Sequence, residues 1–182
     1  MERVRHRLPG DPSPDREIAR MLRVDHAGEY GATRIYAGQL AIVGTGHAAS
    51  EIRRMVEAER HHLARFETLL RERRVRPTLL QPLWSVAGCL LGAATAFLGE
   101  AAAMACTVAV EEVIDEHYRD QADRLADTDP ALRETILAFR DDELAHRATA
   151  LAMGAEQAPG YELLSAIAKT GSRLAIRLST RL

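Results

Sequence analysis

Apolar residues along the chain recur at steps of three and four, the period of a helix that buries one face. The first stripe runs Ile18, Leu22, Asp25, Glu29, Tyr36, Leu40 and Val43. Ser13 ahead of Pro14 supplies an N-cap followed by proline at the first helical position, and the Gly-Thr-Gly run at 44–46 ends the helix. A second stripe, Ile52, Met55, Val56, Glu59, His62, Phe66 and Leu69, stops before Pro77 and keeps its arginines on other faces. A third reads Met104, Val108, Glu111, Ile114, Tyr118 and Leu125. The fourth opens at Asp129-Pro130, another cap followed by proline, and reads Leu132, Ile136, Phe139, Glu143, His146, Ala150 and Met153. A fifth helix follows Pro159-Gly160. No alternating strand pattern of useful length occurs. The sequence therefore predicts an all-α chain, a four-helix bundle with an additional C-terminal helix. Residues 1–13 are basic and rich in Pro and Gly and read as a mobile arm, leaving 14–182 as a single domain.

The chemistry lies in the polar residues that share these apolar stripes. Glu59-x-x-His62 and Glu143-x-x-His146 each place a carboxylate and an imidazole on one helix face, the face that also carries Val56, Phe66, Phe139 and Met153. Glu29 and Glu111 hold the same kind of position on the first and third helices. The arrangement repeats, with offsets of 82 (29 to 111) and 84 (59 to 143, 62 to 146). Two helical hairpins, each giving one Glu and one Glu-x-x-His, would converge about a pseudo-twofold axis. Four buried carboxylates without partners would each cost several kcal/mol and would take up protons instead. No arginine sits on the stripes, whereas two divalent cations match the charge of four carboxylates. Six O and N ligands without thiolate suit iron or manganese better than structural zinc. One Glu from each of two helices and a Glu-x-x-His from each of the other two is the ligand set of di-iron and di-manganese carboxylate bundles. The fold class is accordingly an all-α, ferritin-like bundle, and the metal ligands are Glu29, Glu59, His62, Glu111, Glu143 and His146.

Neighbouring residues are weaker candidates. Asp142 stands where it could accept a hydrogen bond from a ligating imidazole, with an exposed acid beside Asp141 as the equal alternative. Tyr118 and Tyr36 lie seven residues beyond Glu111 and Glu29, and core packing with a satisfied hydroxyl is the favoured role for both. His26 and His61 adjoin the motif off its face.

Composition narrows the setting. The 182 residues are 47% hydrophobic and 27% charged with a net charge of -2, a globular balance that argues against a general nucleic-acid binder. Cys89 and Cys106 lack CxxC spacing, which excludes a disulfide scaffold or zinc ribbon and suits a reducing compartment. No apolar run follows the basic N-terminal residues, so the expectation is a cytosol-facing protein without a secretory signal.

Between Pro77 and Gly99 lie 23 residues without charge, long enough to span a bilayer. A single crossing would put Glu111 on the far side from Glu59 and His62, so this long apolar crossover is expected to be interfacial, re-entrant or buried. The last helix carries Lys169, Arg173, Arg177 and Arg181 at four-residue steps, with Leu163, Leu164, Ile167, Leu174 and Leu178 on another side. Such a cationic amphipathic helix rests on anionic lipid or against a bundle or dimer partner. Together these features favour a monotopic protein whose metal site opens toward the membrane.

The stretches RVDHAGEYGATRIYAGQ (23–39), EAERHHLARFE (57–67), MACTVAVEEVIDEHY (104–118) and FRDDELAHR (139–147) resemble the demethoxyubiquinone monooxygenase family, the di-iron hydroxylases of ubiquinone biosynthesis. The likeness runs from about residue 15 to the end, and it assigns the family's iron ligands to the same six residues. It implies two iron ions and hydroxylation of a polyprenylated methoxy-methyl-benzoquinol by O2, with NADH or another reductant. It also implies homo-oligomers, association with other ubiquinone-biosynthesis proteins and a peripheral or monotopic place on the cytoplasmic face of the inner membrane. The absence of a long Arg/Ser-rich leader looks bacterial. The alternative is a ferritin-like iron-storage or peroxide-reducing protein, or a di-manganese catalase; a third class is a non-enzymatic quinone- or lipid-binding scaffold.

Overall fold

The computed structural model describes residues 13–126 and 128–181, and these form α-helices and one 3-10 turn, with no strand among them. The helices are α1 (Pro14–Val43), α2 (His47–Glu72), α3 (Gln81–Phe97), α4 (Glu100–Leu125), α5 (Pro130–Ala152) and α6 (Tyr161–Ser179). The arm read over 1–13 lies, save for Ser13, outside the described residues. Both expected caps form. Ser13 Oγ accepts from the Arg16 amide and Asp129 Oδ1 from the Leu132 amide, satisfying amides that the first turn leaves free.

Helices α1, α2, α4 and α5 make the bundle. Contacts fix their directions. Gln39 reaches Ala103 while Tyr118 reaches Glu29, so α1 and α4 run antiparallel; Arg73 meets Asp129 while His62 meets Glu143, so α2 and α5 do too. Each hairpin is itself antiparallel, and therefore α2 and α4 run the same way. Joining them requires a segment that travels back along the bundle. That is the role of the uncharged crossover, which forms the 17-residue helix α3 beside α1. The chain then reverses at Gly99, whose φ of 117° suits glycine and strains other residues.

α3 lies against α1 at backbone contact distance. A Cβ at Gly92 would fall 1.9 Å from the Ile35 carbonyl oxygen, and one at Gly38 would fall 2.2 Å from that of Cys89. Gly88 and Gly92, four residues apart, face α1 as a small-residue stripe that lets two backbones approach. The opposite side of α3 stays bare: Leu79 and Phe97 are 81% and 80% exposed, and Leu83, Val86, Leu90 and Leu98 are exposed as well.

The C-terminal helix docks through its small residues. Ser165, Ala168 and Ser179 are its buried residues, while Leu163, Ile167 and Leu174 face outward. Small residues allow close docking, and two of the four periodic cations serve that docking. Lys169 pairs with Glu112 and Arg173 with Glu116, both on α4. Arg177 and Arg181 remain exposed.

Two apolar layers fill the bundle, one at each end. Leu22, Phe66, Leu125, Leu132 and Ile136 build one, and Ile52, Met55, Met104, Val108 and Ala150 the other. Between them sits a layer of acids and histidines.

Candidate metal centre

The six side chains singled out by periodicity meet in that middle layer. Glu29, Glu59, His62, Glu111 and Glu143 are at most 3% exposed, and His146 is 9% exposed. Their placement follows from helix geometry. A Glu and a His three residues apart stack on one face, and the apolar residues a turn away on either side hold that face inward.

They form two interlocked groups. Glu29, Glu59, His62 and Glu143 offer ligand atoms all within 4.8 Å of one another, and so do Glu59, Glu111, Glu143 and His146. Glu59 and Glu143 belong to both. Exchanging α1 with α4 and α2 with α5 converts one group into the other, which is the pseudo-twofold relation anticipated from the offsets.

Hydrogen bonds fix the imidazoles. His62 Nδ1 lies 3.1 Å from Glu143 Oε1 and 3.6 Å from Glu29 Oε2, while its Nε2 lies 3.0 Å from Asp142 Oδ2. Asp142 thus meets the outward nitrogen of the His62 ring, although its own side chain is 58% exposed. His146 turns Nδ1 toward Glu143 Oε2 at 3.0 Å and Glu59 Oε1 at 3.3 Å. Phe139 stacks on the His62 ring at 3.9 Å between centroids, sealing that side. His61 is exposed and edges against Phe139 and His62, and His26 is buried.

Both tyrosines do more than pack. Tyr36 Oη donates to Glu111 Oε1 at 2.7 Å, and Tyr118 Oη donates to Glu29 Oε1. Each hydroxyl crosses from one hairpin to the glutamate of the other. Burial and the adjoining carboxylate charges push both phenols well above their ordinary value, so they remain donors. The seven-residue spacing placed them on the ligand face; only the structure shows that the ligand carboxylate itself satisfies the hydroxyl.

The electrostatics are those of a site built for cations. Burial, reinforced by the other carboxylates, drives Glu59 and Glu111 well above the usual carboxyl range. Burial would raise Glu143 too, but hydrogen bonds from His146 and His62 outweigh it and hold the group at about 2. His62 would be lowered by burial, yet Glu143 and Glu29 raise it to about 10. Among the described residues, the ion pairs of Glu29, Glu59 and Glu143 are with His62 and His146. Glu59 Oε1 is buried without a hydrogen-bond partner. Four crowded carboxylates, an orphaned oxygen and two imidazoles aimed inward fit a pair of divalent cations, whose charge relieves what protons otherwise must.

The family model for Ubiquinone biosynthesis protein COQ7 matches residues 16–179. The chain belongs to the COQ7 family. Within it, the chain is 57% identical over 176 residues to a 3-demethoxyubiquinol 3-hydroxylase of Rhodospirillum rubrum, covering 96% of this chain and 83% of that protein. It is 50% identical over 169 residues to the NADPH-dependent 3-demethoxyubiquinone 3-hydroxylase, mitochondrial, of Homo sapiens, covering 91% and 78%. It is 40% identical over 182 residues to the 5-demethoxyubiquinone hydroxylase, mitochondrial, of Saccharomyces cerevisiae, covering 91% and 78%. The buried Glu and His cluster of this COQ7 chain is compatible with metal binding in a hydroxylase of that kind.

One polar group in the centre escaped the sequence reading. Asp25 was placed on the first stripe without a role, and His117 and Gln121 were not singled out. The structure joins all three. His117 Nε2 lies 3.0 Å from Asp25 Oδ1, and Gln121 Nε2 donates to the same oxygen at 2.7 Å. The available signal was an acid on an apolar stripe one turn before Glu29.

Proposed function

We propose that this chain hydroxylates the ring of a polyprenylated demethoxyubiquinol with O2, at a centre of two iron ions held by Glu29, Glu59, His62, Glu111, Glu143 and His146. The observation that carries the reading is the pair of ligand groups interlocked through Glu59 and Glu143. When bound there, paired iron supplies the capacity to activate O2 for insertion into an aromatic C–H bond. Asp142 orients His62 by holding its Nε2, and Tyr36 and Tyr118 each occupy one oxygen of a ligand glutamate, limiting how it can turn. The reductant is a reduced nicotinamide; the human relative is named NADPH-dependent, where the sequence expectation was NADH.

An apolar cavity of about 240 Å3 supports a quinol substrate. It lies between α1, α3, α4 and α6, with Ile35, Trp84, Leu91, Ile114 and Leu174 in its wall. Gly28 and Val110 line it too, and each immediately precedes a glutamate of the cluster, so the cavity runs beside α1 and α4 at the level of that layer, with none of the six side chains in its wall. A ring entering between α3 and α6 would arrive beside Glu29 and Glu111.

No described helix is long and apolar enough to cross a membrane. Leu174, one of the bare residues of α6, lines the same cavity, and a cluster of exposed apolar side chains marks a contact surface. We assign it to a bilayer surface, with Arg177 and Arg181 beside anionic headgroups and the polyprenyl tail of the substrate remaining in lipid.

The test is complementation of a host that lacks its own hydroxylase, read by mass spectrometry of lipid extracts. The parent chain should restore ubiquinone, and Glu143→Ala should leave the demethoxy precursor to accumulate. Restoration by Glu143→Ala would overturn the reading.

A further inference from the structure

The pseudo-twofold symmetry that relates the ligands fails a few ångströms away. An offset of 82 maps Glu29 onto Glu111, Tyr36 onto Tyr118 and Gln39 onto Gln121. The same offset puts Thr107 where Asp25 stands and Ile35 where His117 stands. In that second half the polar groups only close on backbone: Gln39 Nε2 donates to the Ala103 carbonyl at 3.0 Å and Thr107 Oγ1 to the same oxygen at 3.4 Å. That half holds no acid or histidine at the crossing, and its Gln39 Oε1 is buried without a hydrogen-bond partner just as Gln121 Oε1 is, so what distinguishes the first half is the Asp25–His117 pair.

What they form is a polar path. The His117 side chain is 18% exposed and touches Asp25, which is 2% exposed. Gln121 Nε2 lies 2.7 Å from both Asp25 Oδ1 and His117 Nε2, clamping the pair. Asp25 Oδ2 and Gln121 Oε1 are buried and have no hydrogen-bond partner. Asp25 lies one helical turn before Glu29, and Tyr118, which donates to Glu29, directly follows His117.

We propose that His117 and Asp25, held in register by Gln121, carry protons from solvent to the Glu29–Tyr118 side of the metal centre. The inference rests on the hydroxylase reading above. Ring hydroxylation consumes O2, two electrons from a reduced nicotinamide and two protons; one oxygen atom enters the C–H bond and the other leaves as water. Those protons must reach a layer packed between two apolar cores and an apolar cavity, in which His146, its side chain 11% exposed, is the one ligand candidate that meets solvent and turns its Nδ1 to Glu143. Asp142 also touches solvent, but it leads only to His62, whose Nδ1 is committed to the centre. The titratable groups acting on Asp25 are His117 and Tyr118 from α4 and Glu29 from its own helix. Burial outweighs the His117 contact and raises the Asp25 carboxyl, which suits a group that must hold and release a proton.

Asp25→Asn and His117→Ala test this in the full chain loaded with iron. Iron content reports the ligand shell, and a pH indicator reports proton uptake when the reduced protein meets O2. Hydroxylation of a short-chain demethoxyubiquinol is followed in parallel. Both variants should bind as much iron as the parent, take up protons at least tenfold more slowly and hydroxylate more slowly by a similar factor. Added imidazole should restore most of the loss in His117→Ala, an outcome that a merely structural role would not give. If Asp25→Asn fails to fold, His117→Ala at the partly exposed end carries the test. Proton uptake within twofold of the parent, or loss of iron from the variants, would overturn the proposal. A parent that shows the proton-uptake difference but hydroxylates no quinol would sustain the relay and refute the substrate.

Discussion

Hairpin α1–α2 and hairpin α4–α5 present the same ligands to the centre, yet what surrounds those ligands differs between them. On the first, Glu29 neighbours Asp25, and His62 leans on Asp142 of the other hairpin. On the second, Thr107 replaces Asp25, and Ala58 stands at the position equivalent to Asp142. Outside the layer, α1 carries Gly31 and Gly38 where α4 carries Val113 and Asp120. The reason is visible in the fold at Gly38, where a Cβ would fall 2.2 Å from the Cys89 carbonyl oxygen of α3, whereas a Cβ at Gly31 would meet open space. Holding two like cations calls for two like sets of donors. Bringing in a substrate on one side and protons on another calls for unlike surroundings. On the functions proposed above, the symmetric part would serve binding and the asymmetric part traffic.

The comparison can be broken at its most symmetric point. Removing a shared ligand, as in Glu59→Ala, should abolish binding of both metals, while Glu29→Ala and Glu111→Ala should each weaken one. Metal content per chain by elemental analysis checks this, with turnover expected to fall by at least about 100-fold in all three. Equal metal content in Glu59→Ala and the parent would refute the sharing.

Removing the metal altogether should expose the charge the layer carries. Glu59 and Glu111 have raised carboxyls in the fold, so their stabilisation is complete below the ordinary carboxyl range and is lost as pH rises through their folded values. His62, raised to about 10, acts in the same direction, its contribution complete below the ordinary imidazole value and lost as pH climbs through about 10. Glu143, held at about 2, contributes only above the ordinary carboxyl value and loses that contribution as pH falls toward 2. Chelator-treated protein should therefore melt at lower temperature as pH is raised from mildly acidic to mildly alkaline, and the gap to the metal-loaded protein should widen. Calorimetry at matched ionic strength reads both. A gap independent of pH would count against cations as the natural partners of these carboxylates.

The smallest effect sharpens the asymmetry. Asp142→Ala should make the two hairpins alike around their histidines and cost about 10-fold in metal affinity, at the lower end for an outer partner, because its carboxylate is half in water. Competition with a metal-binding dye measures it, and an unchanged affinity would leave Asp142 as a surface acid.

Much of this was legible in order along the chain. Glu-x-x-His on an apolar stripe is a local pattern, and the repeat offset needs only counting, so all six ligands could be named before any coordinate. The tyrosines could be placed on the correct face for the same reason, but not their partners: Tyr36 reaches Glu111 across 75 residues and Tyr118 reaches Glu29 across 89. Asp25 looked like one more polar residue on a stripe until α4 brought His117 and Gln121 to it. The C-terminal helix was legible as cationic on one side and apolar on another, but not which side docks: its serines and alanine do, because a short side chain allows close approach and Glu112 and Glu116 draw in its cations.

The amino-acid order alone thus determined which helices form, where they stop and which donors face inward, since each depends on residues within a turn or two of one another. Only the packed molecule decided which glutamates belong to both groups, what each tyrosine holds, that α3 runs back along α1 and that Asp25 meets His117 and Gln121. Those are relations between helices far apart in sequence, and periodicity fixes which face a helix offers without fixing what meets it.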